Sequence, residues 1–256
     1  MMKLSQNAID AFQWCGKLNP DLVLNPGQTI RTITHNKAVL LKVLVEEHFP
    51  TLCAFNLAAF LRDLDTGTDV NFDCEDYVLL SKGRTATKVP KLDPKLVMSP
   101  PNKELNVSNF EETVFLHIDD LQQMPAAKRV SFSKSKTKPK TEYIFEFHAA
   151  KAGAPIMLDI IREDLVRTID LKVSRQAKQP FKARIRQRNL VLMDGSYEIA
   201  FSKVGVSRWR GVNVAAVIWI ATESKHCWFG EQERDKKLEE ERLRMDAAAK
   251  AELAGQ

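Results

Sequence analysis

Two stretches of this chain gather cations with no acid among them. From Leu121 to Thr141 there is no Asp or Glu, yet Lys128, Arg129, Lys134, Lys136, Lys138 and Lys140 all lie there. From Leu171 to Met193 the same holds, with Lys172, Arg175, Lys178, Lys182, Arg184, Arg186 and Arg188. The chemistry such runs offer is electrostatic rather than covalent. Lys and Arg neutralise phosphates and displace their counterions, so the expected partner is a polyanion, most often nucleic acid. The net charge of +5 is unevenly placed. Residues 1–105 hold 12 Lys+Arg against 12 Asp+Glu, residues 106–230 hold 20 against 13, and residues 231–256 hold 6 against 8. Taken alone, the Lys- and Ser-rich run at 133–140 reads as a solvated loop. Two runs in one half point instead to a groove built by several segments.

Covalent chemistry finds no matching constellation. His35, His48, His117, His148 and His226 fall in no metal-hydrolase spacing, and no phosphate-cradling glycine loop or nucleophile elbow occurs. Asp119-Asp120 and Glu163-Asp164 are adjacent carboxylates of the kind common at helix starts and turns. Cys15, Cys53, Cys74 and Cys227 form no C-x-x-C pair and read as reduced thiols. No metal or cofactor is implied, and the chain is expected not to be an enzyme. No apolar run approaches the ~20 residues of a membrane span, and the N-terminus lacks a secretory layout. A cytoplasmic protein without a membrane partner is expected.

The elements that must position the cations form two similar series. Leu4, Ala8, Ala11, Phe12, Cys15 and Leu18 recur at helical spacing until Asn19-Pro20-Asp21 stops them. Short strands follow at 22–24, 29–34 and 38–45, then a helix at 57–64 and strands at 69–72 and 77–80. Four prolines between Val89 and Asn109 mark a linker. An apolar run at 114–118 then leads into a helix opening at Asp119-Asp120, where acids suit the macrodipole. Strands are expected at 143–149, 156–161, 165–173, 181–185, 197–201 and 212–221, with a fourth short helix at 186–193. Residues 231–254 read as a solvated helix, because Leu238, Leu243 and Met245 are too few for a coiled-coil seam. The series form an α+β chain of two halves, 1–105 (linker about 89–109) and 110–226, with a helical extension at 227–256.

Against this background the chain resembles the DNA polymerase processivity factor, or sliding clamp, of T-even-type bacteriophages across nearly all of residues 2–225. The resemblance lies in Met2-Lys3-Leu4-Ser5, in Gly27-Gln28, and in Asn56-Leu57 with Phe60-Leu61. It continues in Asp93-Pro94 and Pro101-Asn102-Lys103 of the linker, and in Asp120-Leu121-Gln122-Gln123 ahead of Arg129-Val130-Ser131. Phe181, Asn189, Gly195 and Tyr197 complete the series. It implies the DNA-clamp fold, two domains each with two helices packed on antiparallel sheet. It further implies a head-to-tail homotrimer whose helices line a hole for duplex DNA, opened by an ATP-dependent clamp loader and used by the phage DNA polymerase in the infected bacterial cell. Three features depart from the pattern: a net basic chain, the segment after about His226, and Pro125 within the third helix.

A clamp attracts DNA without reading its sequence, so cations on the helices are the candidates. These are Lys3 and Lys17 on the first helix, Arg62 on the second, Lys128 and Arg129 on the third, and Arg184, Arg186 and Arg188 around the fourth. The competing reading is a nucleic-acid-binding protein without a ring, a single-strand binder or regulator. It calls for aromatic side chains among the cations to stack bases, and the two runs offer only Phe132 and Phe181.

Overall fold

The computed structural model describes residues 1–101, 103–123, 142–162, 165–171 and 174–254. The first half runs β1 (Met2–Lys3), α1 (Gln6–Leu18), β2 (Asp21–Leu24), β3 (Gly27–Ile33), β4 (Val39–Phe49), β5 (Cys53–Asn56), α2 (Leu57–Arg62), β6 (Asp69–Asn71), β7 (Tyr77–Lys82) and β8 (Thr85–Leu92). Local chemistry sets the helix starts. The Ser5 hydroxyl accepts from the Ala8 amide at 3.2 Å, and the Asn56 side chain accepts from the Ala59 amide at 2.9 Å. α1 buries Ala8, Ile9, Ala11, Phe12, Trp14, Cys15 and Leu18. Phe12 lies 5.2 Å from Phe60 of α2 and 5.9 Å from Phe49 of β4, edge to face in both cases.

The second half repeats the order among the described residues: β9 (Glu112–Leu116), α3 (Ile118–Gln123), β10 (Ile144–Ala149), β11 (Met157–Arg162), β12 (Leu165–Asp170), β13 (Phe181–Arg186), a 3₁₀ turn (Gln187–Asn189), β14 (Tyr197–Ser202), β15 (Val206–Gly211) and β16 (Ala216–Ala221). The pairing repeats as well as the order. β1·β6, β6·β7, β7·β8, β2·β5 and β3·β4 are matched by β9·β14, β14·β15, β15·β16, β10·β13 and β11·β12, all antiparallel. The halves are joined where β16 pairs β4, from Ala216 opposite Val43 to Ile220 opposite Val39. That joint makes one six-stranded sheet, β3-β4-β16-β15-β14-β9, out of both halves. Between it and the sheet β12-β11-β10-β13-β17 lie Phe147, Phe181, Phe201 and Trp209. β17 (Trp228–Phe229) adds to β13 after a second 3₁₀ turn (Ser224–His226), and α4 (Glu231–Ala254) follows.

The structure differs from the sequence reading at several points besides the unexpected strands β1 and β5 and the longer β4. The linker begins after Leu92 rather than at Val89, because Pro90 is accommodated in β8 near its lightly paired edge. The expected strand 212–221 is only β16, preceded by a turn, and β15 occupies 206–211. The expected helix 186–193 is only a 3₁₀ turn. Its apolar residues Leu190 and Val191 enter the core, and the carbonyls of Val191 and Met193 accept from the Trp14 indole and the Tyr197 hydroxyl rather than from helix amides. The body does not end at His226, since Phe229 is buried and stacks on Phe181 with centroids 6.3 Å apart.

Candidate nucleic-acid interface

In the first half the outward faces of two neighbouring helices carry the cations. α1 and α2 approach closely at Gly16, where a side-chain carbon would stand 3.0 Å from Leu61. Lys17 and Arg62, next along their helices, thus lie at the close-packed ends of the pair. Both are exposed, and each is in its helix's last turn, where a cation also complements the macrodipole. Among the described residues Arg62 pairs with its neighbour Asp63, at 3.3 Å, with 70% of its side chain exposed. A pair that exposed holds its partners loosely and leaves the guanidinium free to meet a phosphate. Lys3 is exposed but belongs to β1, because the Ser5 cap starts the helix only at Gln6.

The second half arranges its cations differently. α3 carries Asp119 and Asp120 in its first turn. Asp120 accepts from the His117 amide at 3.2 Å, and partial burial raises its carboxyl above the usual range. Lys128 and Arg129 lie outside the described residues, as do the Lys-rich run 133–140 and Pro125. Arg184, Arg186 and Arg188 do not surround a helix. The first two are on β13, alternating with the buried Phe181, Ala183 and Ile185 and so directed away from the core, and Arg188 is in the 3₁₀ turn.

The acid-free run is not acid-free in space. Arg184 meets Glu146 of β10 at 2.6 Å and Lys182 meets the same carboxylate at 3.1 Å. Arg186 pairs with Glu223, and Arg188 lies 3.6 Å from Glu142. Burial pushes the Glu146 carboxyl up, but the hydrogen bonds from Arg184 and Lys182 outweigh it and hold it below the ordinary range. The Glu223 carboxylate raises Arg186 above the usual arginine value. Arg184 is thus a cross-strand tie from β13 to Glu146 of β10, while Arg186 and Arg188 tie the end of β13 and the 3₁₀ turn to Glu223 and Glu142 in the flanking loops. No cluster of three metal-ligating side chains occurs among the described residues, and no helix there is long and apolar enough to cross a membrane.

Sequence reasoning missed a second feature that bears on function. β12 pairs β11 on one side and no strand on the other among the described residues, with Leu165 73% and Val166 59% exposed. β8 pairs β5 only through Lys91 and Leu92, leaving Thr85–Pro90 with β7 alone. The strand expected at 165–173 is present as β12 over Leu165–Asp170, with 172 and 173 outside the described residues, but its unpartnered edge depends on pairing, which no local pattern encodes.

No protein-family model matches the chain. Its sequence is 20% identical over 229 residues to the sliding clamp of Vibrio phage KVP40, covering 87% of this chain and all of that one. Among solved structures, the PCNA of A. fulgidus bound to the C-terminal region of FEN-1 superposes with a TM-score of 0.60 at 10% identity, over 87% of this chain and 98% of that one. The PCNA of Thermococcus kodakaraensis gives 0.59 at 13% identity, over 86% and 98%. The DNA polymerase III beta chain of Streptococcus pneumoniae gives 0.57 at 11% identity, and there the match spans 63% of the longer chain.

The fold is the DNA-clamp fold: α+β, two repeated domains, antiparallel sheets and few helices. The resemblance to a phage sliding clamp is shared with the Vibrio phage relative, and the solved structures carry the fold alone.

Proposed function

We propose that the protein is a sliding clamp, a ring that encircles duplex DNA and confers processivity on a phage replicative polymerase. One observation carries the ring: the joint inside the chain has an unsatisfied counterpart at its two ends. Within the chain, β16 of the second repeat closes on β4 of the first. The repeat makes β8 the counterpart of β16, and β12 the counterpart of β4. Among the described residues β12 is open on its outer side and β8 is open along Thr85–Pro90, so both counterparts of the joint are free to pair, as the edges of β1, β2, β3, β9 and β17 also are. β12 is the one that begins with two exposed apolar residues, Leu165 and Val166, and such an edge invites another chain. Head-to-tail pairing of β12 with β8 of the next copy repeats the internal joint and closes when the rotation permits. The phage-clamp resemblance supplies the number, three copies and six repeats.

In that ring α1, α2 and α3 face the hole, and Lys3, Lys17, Arg62, Lys128 and Arg129 meet phosphates without fixing a register. Arg184, Arg186 and Arg188 serve the outer sheet instead. The protein is a scaffold, not an enzyme, and a loader driven by ATP opens it in the cytoplasm of the infected cell. Sedimentation at micromolar concentration should give three times 29.0 kDa. A strictly monomeric or dimeric particle at every accessible concentration overturns the reading. With its loader and ATP, the ring should persist on circular DNA at salt that abolishes direct binding, then leave once the circle is cut. A groove-binder without a ring would show equal lifetimes on cut and uncut circles.

A further inference from the structure

The internal repeat also assigns a place to α4. In the first repeat, the end of β8 adds to the edge of β5 through Lys91 and Leu92, and the chain then becomes the connector. In the second repeat, β17 adds to the equivalent edge of β13, and the chain then becomes α4. Connector and helix leave equivalent points of the fold.

The connector binds across the internal joint. Val97 packs on Val23 and Ala54, on β2 and β5. Farther along, the Pro101 carbonyl accepts from Arg31 of β3 at 3.0 Å, and Glu104 pairs with Lys42 of β4. Beyond the joint, Phe110 stacks on Trp219 of β16 with Arg208 of β15 over its ring at 4.5 Å. One segment thus ties both sides of β4·β16.

α4 likewise follows an added strand. Gly230, at φ +88, turns the chain. The Glu233 carboxylate then accepts from the Phe229 amide, and the Lys237 ammonium donates to the carbonyls of Ser224 and Cys227. The next turns flank the outer face of β13, with Lys182, Arg184, Trp228, Lys237, Leu238 and Glu241 around a cleft of about 350 Å³. Past Lys237, residues 238–248 are exposed. A helix polar on every side is a bridge or is marginal. Its 24 residues span roughly 36 Å, whereas the four strand spacings from β17 to β12 take roughly 19 Å. A helix of that length, laid across this sheet from β17, would reach beyond the open edge of β12.

We propose that α4 is a second strap, crossing the joint between copies as the connector crosses the joint within one. Its occupant is a second copy of this chain, and the proposal rests on the ring described above. Charge decides against DNA as the occupant: residues 231–256 carry 8 acids against 6 bases. It favours instead the exposed cations beside the β8 edge, Arg84 and Lys88, which would meet Glu239, Glu240 and Glu241 as Lys42 meets Glu104.

The test compares trimer dissociation constants by sedimentation for three proteins. These are the full chain, a chain ending at Gly230 that keeps β17, and the full chain with Glu239→Lys, Glu240→Lys and Glu241→Lys. Both variants should dissociate about tenfold more readily, the sum expected of a few exposed ion pairs, while the protomer's melting temperature is unchanged. The charge variant keeps the helix and guards against misfolding of the shortened chain. Equal constants for all three overturn the strap and leave the ring intact. A full chain that never exceeds one protomer's mass overturns both.

Discussion

The two halves share one strand frame and differ in almost everything attached to it. In the first, a 13-residue helix and a six-residue helix cover the strands, and the charges cancel. In the second, a described helix of six residues and a single 3₁₀ turn stand in the same places, and the charge is +7. The first half continues into a connector that ties it to its neighbour within the chain, the second into a helix with its far end exposed. What is common to both halves is therefore what builds a joint: strand order, antiparallel pairing and the core beneath. What differs is what a joint does not need. In the proposed ring, polyanion attraction would follow the helices rather than the net charge, because the more basic half pairs off several of its cations.

The sharpest way to break the comparison is to attack the joint that only a ring would complete. Leu165→Asp with Val166→Asp places like charges along the open edge of β12 without touching the internal joint. Sedimentation should then find only protomers at concentrations where the original chain is trimeric, a weakening of at least a hundredfold. Circular dichroism should show the protomer still folded. An undisturbed trimer would mean that β12 is not the counterpart of β4 in use.

Next in size is the core contact that extends the second half beyond its expected end. Phe229→Ala removes the ring stacked on Phe181 and should cost about 3 kcal/mol in denaturant unfolding. Ending the chain at Lys225 should cost at least as much, while ending it at Gly230 should leave the protomer's stability unchanged. If both truncations are equally stable, β17 is an appendage and the body does end near His226.

How much of this was legible depended on the distance over which each feature is determined. α1 could be read because its apolar stripe is local, although the reading passed over the Ser5 cap and so left Lys3 on the helix. β13 could be read because Phe181, Ala183 and Ile185 alternate with Lys182 and Arg184. The failures share a cause. Residues 186–193 look helical until Trp14, far away in sequence, takes the Val191 carbonyl. Pro90 looks like a linker until pairing puts it near an edge. The run 171–193 looks unneutralised because Glu142, Glu146 and Glu223 come from other elements. Two similar halves and few helices could be seen, while the joint β4·β16 and its open counterparts could not, since pairing over such separations leaves no local mark.

A smaller effect should come from the carboxylate that ties Lys182 and Arg184. Glu146→Gln leaves Arg184 half-buried without its counter-charge and should cost on the order of 2 kcal/mol at neutral pH. The folded chain holds the Glu146 carboxyl below its ordinary value. Its contribution is therefore complete above the unfolded pKa of about 4.3 and disappears as pH falls through the lower, folded value. The gap between original and variant should narrow on acidification below about pH 4. A gap independent of pH would assign the loss to packing rather than charge.

The smallest effect tests where the polyanion is met. Replacing Lys17 and Arg62 by Ala removes two exposed cations from neighbouring helices and almost nothing from the core. Direct binding of duplex DNA by the closed ring should weaken equally for every sequence, since phosphates carry no sequence information. The slope of log binding constant against log salt should flatten by about one unit for each phosphate no longer neutralised. Replacing Arg184, Arg186 and Arg188 should act in the opposite order. Their partners Glu142, Glu146 and Glu223 are released, so protomer stability falls, while the salt slope stays nearly where it was. A flattened slope in the second variant and not in the first would move the DNA-facing surface from the helices of the first half to the outer sheet of the second. Because a ring threads its DNA through the helix-lined face, that outcome would count against encirclement as well as against these two residues.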